Sequence, residues 1–112
     1  MPIFVDARIP VFFAPVPPAG GDAVLIEGDD EAPEGLPSAR FFLALPGHEA
    51  GCACCAPRGP VAEALHRMFL ARAQGTAAFF GRVVVLASAA GEAAVRRALA
   101  EDGFLAGRYR AG

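Results

Sequence analysis

Four consecutive aliphatic residues, Val83-Val84-Val85-Leu86, constrain the fold of this chain more than any other stretch. Neighbouring side chains of a strand point to opposite faces, so an unbroken aliphatic run needs cover on both faces, as a central strand of a parallel sheet has. Helix patterns lie on either side of the run. Pro60 suits a first helical turn, Val61, Leu65, Met68 and Phe69 fall on one face, Glu63 and Arg67 form an i,i+4 pair, and Gly75 is a stop. After the run, Glu92 to Asp102 predicts a second helix with Val95 and Leu99 inward and Gly103 as its stop. With Ala39 to Leu45 as a strand before the first helix, the order from residue 39 onward is βαβα. We therefore expect an α/β fold: a small, mostly parallel sheet with flanking helices, in a single domain over residues 1–112.

The remaining elements are read around that frame. Ile9 to Ala14 is a short apolar run halted by Pro15, Pro17 and Pro18, and Ala23 to Glu27 is another, closed by Gly28. Asp29 to Glu34 reads as a solvated acidic loop, Phe41 and Phe42 as a core pair, and His66 as a solvated position off the inward helix stripe. Phe104, Leu105 and Tyr109 mark a tail that packs back on the body.

A chain of 112 residues with 54% apolar and 20% charged side chains can bury a core without help from metal or disulfides. The net charge of -2 gives no electrostatic case for nucleic acid or for an anionic membrane. No apolar run approaches the roughly 20 residues of a membrane span. All ten basic residues are Arg, and Lys and Asn are absent, which excludes chemistry that needs a lysine.

All three cysteines, Cys52, Cys54 and Cys55, fall within Gly51 to Arg58. Thiols so close cannot staple distant parts of a fold, and an odd number argues for a reducing, cytoplasmic setting. Short spacing lets one loop present several thiolates to a soft or borderline metal, zinc above all, with His48 as the nearest nitrogen ligand. Two other readings stand beside this one: inert or buried thiols with a structural role, and a redox-active thiol beside Arg58. Ser88 follows the central strand, where open α/β folds bind ligands, yet the sequence identifies no His and acid partner for it.

The phrase Gly51-Cys52-Ala53-Cys54-Cys55-Ala56-Pro57-Arg58-Gly59, then a helix, then Phe80-Gly81-Arg82-Val83-Val84-Val85, resembles the CobW family of metal-handling P-loop GTPases. Phe104-Leu105-Ala106-Gly107-Arg108-Tyr109-Arg110 is similar to that family's Phe-Leu-x-x-Arg-Tyr-Arg segment, so about the second half of the chain is covered. Ile9 to Phe13 and Ala23 to Glu27 resemble its first two strands. Between them the family carries a P-loop and a long helix. Here Ala14 to Asp22 offers Pro15, Pro17 and Pro18, which donate nothing to phosphate, and Asp22 where a Lys would align. Leu86 and Ala87 replace the family's Glu and Thr, Ala89 its Gly and Glu92 its Asp, leaving the expected acidic group after the strand missing or displaced. An Asn-Lys-x-Asp guanine motif is impossible without Asn or Lys.

The resemblance implies a shortened, degenerate relative lacking the P-loop and the C-terminal domain. Expected of it are a GTPase-deficient zinc-binding domain in metal delivery or homeostasis, no bound nucleotide, and no enzymatic activity. Its metal ligands would be Cys52, Cys54, Cys55 and His48. The competing expectation is a non-catalytic interaction or regulatory protein that docks on an intact CobW-type GTPase or on a second copy of itself, its cysteine loop vestigial.

Overall fold

A computed structural model describes residues 7–43 and 59–112. It is an α/β domain in which one five-stranded, all-parallel sheet carries the helices. In chain order the elements are β1 (Ile9–Phe12), β2 (Asp22–Glu27), β3 (Ser38–Phe41), α1 (Pro60–Gln74), β4 (Arg82–Leu86), α2 (Ala89–Glu101), α3 (Gly103–Arg108) and β5 (Tyr109–Ala111). The strands lie side by side as β3-β2-β4-β1-β5, so the aliphatic run forms the centre, between β2 and β1. Val24, Leu25 and Ile26 register with Val84, Val85 and Leu86, and Val11 and Phe12 with Val83 and Val84.

The two faces are covered differently. On one, Ile9, Val11, Ala23, Leu25, Val83, Val85 and Tyr109 share a cluster with Val61, Leu65 and Met68 of α1, Val95 of α2 and Leu105 of α3. On the other, Val24, Ile26 and Val84 are buried outside that cluster. Both leftward crossovers, residues 13–21 and 28–37, are helix-free, and the right-handed rule for parallel connections sends them across this second face. Two side chains tie them down. Asp22 accepts from the Ala19 N–H at 2.9 Å and takes a bidentate pair from Arg82 at 2.7 and 3.0 Å. Arg40 donates to the carbonyls of Gly28 and Asp30. Both crossovers are thus short loops clipped by charge-assisted hydrogen bonds.

Local chemistry accounts for the helices. Pro60 opens α1, and Gly75, at φ 76°, ends it in the left-handed conformation that costs glycine nothing. The Ser88 side chain caps α2 through the Gly91 N–H. α2 ends at Glu101, next to the expected stop, but Gly103 opens a further short helix. The Asp102 carboxylate accepts from the N–H groups of Phe104 and Leu105 at 2.9 and 3.1 Å and starts α3 there. The tail then adds β5 to the sheet beside β1, and the buried Tyr109 hydroxyl donates to the Leu65 carbonyl of α1 at 2.8 Å. Burial raises that phenol above its ordinary pKa.

Other expectations need correcting. β3 ends at Phe41, not Leu45, and Leu43 is its last described neighbour. Phe41 is buried, whereas Phe42, the first residue after β3, is 55% exposed. His66 is half-buried: its ring meets Phe104 edge-on at 4.4 Å, and its Nδ1 is buried without a hydrogen-bond partner among the described residues.

Candidate functional site at the carboxyl edge

In a parallel sheet all strands end at one edge, and helix N-termini open onto it. Here that edge gathers Glu27 from β2, Ser88 after β4 and Gly91 in the first turn of α2. Glu27 sits at the end of an apolar strand whose register with β4 carries it to the start of α2. Its Oε1 accepts from the Ser88 N–H at 2.9 Å and from the Ser88 hydroxyl at 2.7 Å. Ser88 Oγ in turn accepts from the Gly91 N–H at 3.1 Å. The Ser88 hydroxyl, and after it the Ser88 N–H, hold the Glu27 carboxyl below its ordinary pKa.

Gly91 makes the seat possible. A Cβ there would collide with Glu27 Oε1 and stand 2.8 Å from the Ala87 Cβ. The partial positive charge of a helix N-terminus commonly attracts a ligand anion. In this protein a side-chain carboxylate of the neighbouring strand takes that place. The sequence reading found no acid after β4 and none for Ser88; the sheet supplies one from β2. The signal was present in Glu27 as the one charged residue closing the apolar run Ala23 to Ile26.

Chemically, the arrangement favours order over reaction. The Ser88 hydroxyl is committed as a hydrogen-bond donor to Glu27, and a carboxylate of lowered pKa is a poor base. His66, the one histidine among the described residues, lies against α3 instead. Asp22, at the start of β2, is at the opposite edge of the sheet and is paired with Arg82. Arg82 first, then the Ala19 N–H, hold its carboxyl below the ordinary value against the effect of burial.

The sequence-predicted ligands His48, Cys52, Cys54 and Cys55 lie outside the described residues. Their described flanks are close together. The chain leaves β3 beside Glu27, its register partner being Phe41, and the Gly28 N–H donates to the Phe41 carbonyl at 2.9 Å. Leu43 and Gly59 line the same cleft of about 370 Å³, with Ala98 and Glu101 of α2. Among the described residues no three His, Cys, Asp or Glu side chains are grouped to hold a metal. Nor is any described helix long and apolar enough to cross a membrane.

The fold and edge define an all-parallel α/β domain whose α2 N-terminus is filled from within. Comparison with protein-family models, curated proteins and solved structures finds no match.

Proposed function

We propose that the chain is a GTPase-deficient, CobW-like metal-binding domain that takes zinc through Cys52, Cys54 and Cys55, with His48 as a fourth ligand. The observation that carries this reading is the packing of three thiols into four residues of one short loop, a donor set suited to a borderline-soft ion. The closeness of Leu43 and Gly59 in one cleft supports it, because a loop with both ends at one place can gather its donors locally. Zinc bound there would act as cargo or as a regulatory ion. No nucleotide enters this reading: Ala14 to Asp22 has neither the glycines nor the lysine of a phosphate cradle, and Glu27 already fills the α2 N-terminus.

The test is zinc titration against a chromophoric competitor under reducing conditions, with metal content by mass spectrometry of the purified protein. The expected result is one zinc per chain, lost in a Cys52→Ser/Cys54→Ser/Cys55→Ser variant and weakened about tenfold or more by His48→Ala. Equal zinc uptake by the triple variant and the parent ends the metal reading.

A further inference from the structure

The geometry points to the face formed by the free edge of β3 and the neighbouring wall of α1 as an isologous interface. A second copy of the chain, related by a two-fold axis, lays its own β3 antiparallel to this one and joins the two five-stranded sheets into one. This inference is independent of the thiols.

The backbone sets it up. Val24 donates to the Pro37 carbonyl and Gly28 to the Phe41 carbonyl, each at 2.9 Å, and Val24 registers with Ser38. In a parallel ladder this phase turns the backbone groups of residues 37, 39 and 41 toward β2. Those of Ser38 and Arg40 therefore point away from the sheet, where no described strand pairs with them. In an antiparallel pair, residues whose groups both point at the partner strand sit opposite each other and exchange both main-chain bonds. Ser38 of each copy then faces Arg40 of the other, with the two-fold axis at Ala39.

Charge selects the occupant. A groove of about 1070 Å³ runs along this edge, and the charged residues that line it are Arg40, Glu63 and Arg67. Arg40 turns its guanidinium onto the carbonyls of Gly28 and Asp30 in the crossover on the other face, so the charges left to the groove are those of α1. Glu63 and Arg67 are both exposed, one turn apart, and no ion pair joins them to each other or to another described residue. A peptide of one charge sign meets a like charge here for every opposite one. The same helix run antiparallel sets Arg67 against Glu63 and Glu63 against Arg67, so a second copy satisfies both groups at once.

The strand and helix registers agree. Phe42 and Pro60 both line the groove, and α1 runs back from Pro60 against the direction of β3. From Phe42 to Ala39 is about 10 Å of strand, which six to seven residues of helix cover. The axis at Ala39 therefore passes within about one turn of the midpoint between Glu63 and Arg67. Apolar surface marks the same face. Of the three large hydrophobics exposed among the described residues, Phe42 lines the groove and Leu70 follows Arg67 by one turn of α1.

The test is sedimentation velocity of the full chain over a concentration series, in reductant and chelator, with NMR-detected amide exchange to locate the contact. The expected result is a reversible dimer whose formation slows exchange at the Ser38 and Arg40 amides. Arg67→Glu and Glu63→Arg, each at an exposed position, should weaken it about tenfold or more. The double variant Glu63→Arg/Arg67→Glu should recover the parent affinity to within about threefold, because the swapped wall is again complementary to itself. An equimolar mixture of the two single variants should form a heterodimer, an acidic wall then meeting a basic one. The Cys-to-Ser triple variant should dimerise as the parent does, so loss of the zinc reading leaves this one standing. A chain that stays monomeric up to about 1 mM overturns the proposal. So does a dimer that the single reversals leave unchanged, that the double variant does not recover, or that leaves the Ser38 and Arg40 amides unprotected. Loss of the dimer in the Cys-to-Ser variant overturns it as well and assigns the association to the thiols.

Discussion

Gly91 does its work by lacking a side chain. Its missing Cβ leaves the space in which Glu27 Oε1 reaches Ser88, and the rigid Ala87 Cβ closes the other side. Overfilling a packed site costs about 1–3 kcal/mol, so Gly91→Ala should destabilise the domain by about 2 kcal/mol in urea unfolding. The cause can be isolated by a second change. In Glu27→Ala the carboxylate is gone and of the nearest atoms the added methyl still meets the Ala87 Cβ, so the double variant should lose distinctly less than the two single losses added together. Strict additivity would place the clash elsewhere. The same pair shows where residue-level reading of the sequence stops. Ser88 could be placed after the central strand from its position alone, but its partner comes from residue 27, and only the β2–β4 register brings the two together. No local pattern carries that register.

At the scale of elements, what could be read followed the strength of each local signal. Val83 to Leu86 declared a two-faced strand, and Pro60 with Gly75 marked the ends of α1 almost to the residue. The C-terminal region could not be read the same way. α3 has six residues, too few for a helical period to emerge, and its start depends on the Asp102 carboxylate rather than on an apolar stripe. β5 has no apolar run at all; Tyr-Arg-Ala becomes a strand because β1 offers an unpaired edge. Besides its pairing with β1, it is held to α1 by the Tyr109 hydroxyl bonded to Leu65. Tyr109→Phe keeps the ring and removes that bond, and should cost about 1 kcal/mol while speeding amide exchange in β5 more than in β4. Equal acceleration in both strands would mean that β5 does not open separately. The cysteine loop was the most legible motif in the chain, yet its thiols and His48 lie outside the described residues, so the fold frames its flanks alone.

For the molecule as a whole, the two clipped carboxylates link stability to pH. Asp22 and Glu27 both have folded pKa values below their ordinary ones, so folding favours their charged forms. The sign follows directly: their contribution is complete above the ordinary carboxylate range near pH 4 and is lost as pH falls through the lowered folded values, because the unfolded chain then binds more protons. Calorimetry should show a flat Tm from about pH 7 to 5 and a steep decline below about 4. In an Asp22→Asn/Glu27→Gln variant the Tm should start lower and decline less steeply over the acid range. A parent and variant with parallel acid limbs would assign the decline to other carboxylates.

The strand order carries one more implication, for how the chain comes into being. β1 and β2 are neighbours in sequence but never touch as strands; β4 separates them, with Val11 against Val83 and Asp22 against Arg82. In a growing chain that has emerged only up to α1, β1 has no strand to lie against, because β4 and β5, its partners in the sheet, are not yet made. The late arrival of Arg82 to Leu86 joins the two parts in one event, so the order of synthesis and the order of assembly part company at the middle of the sheet.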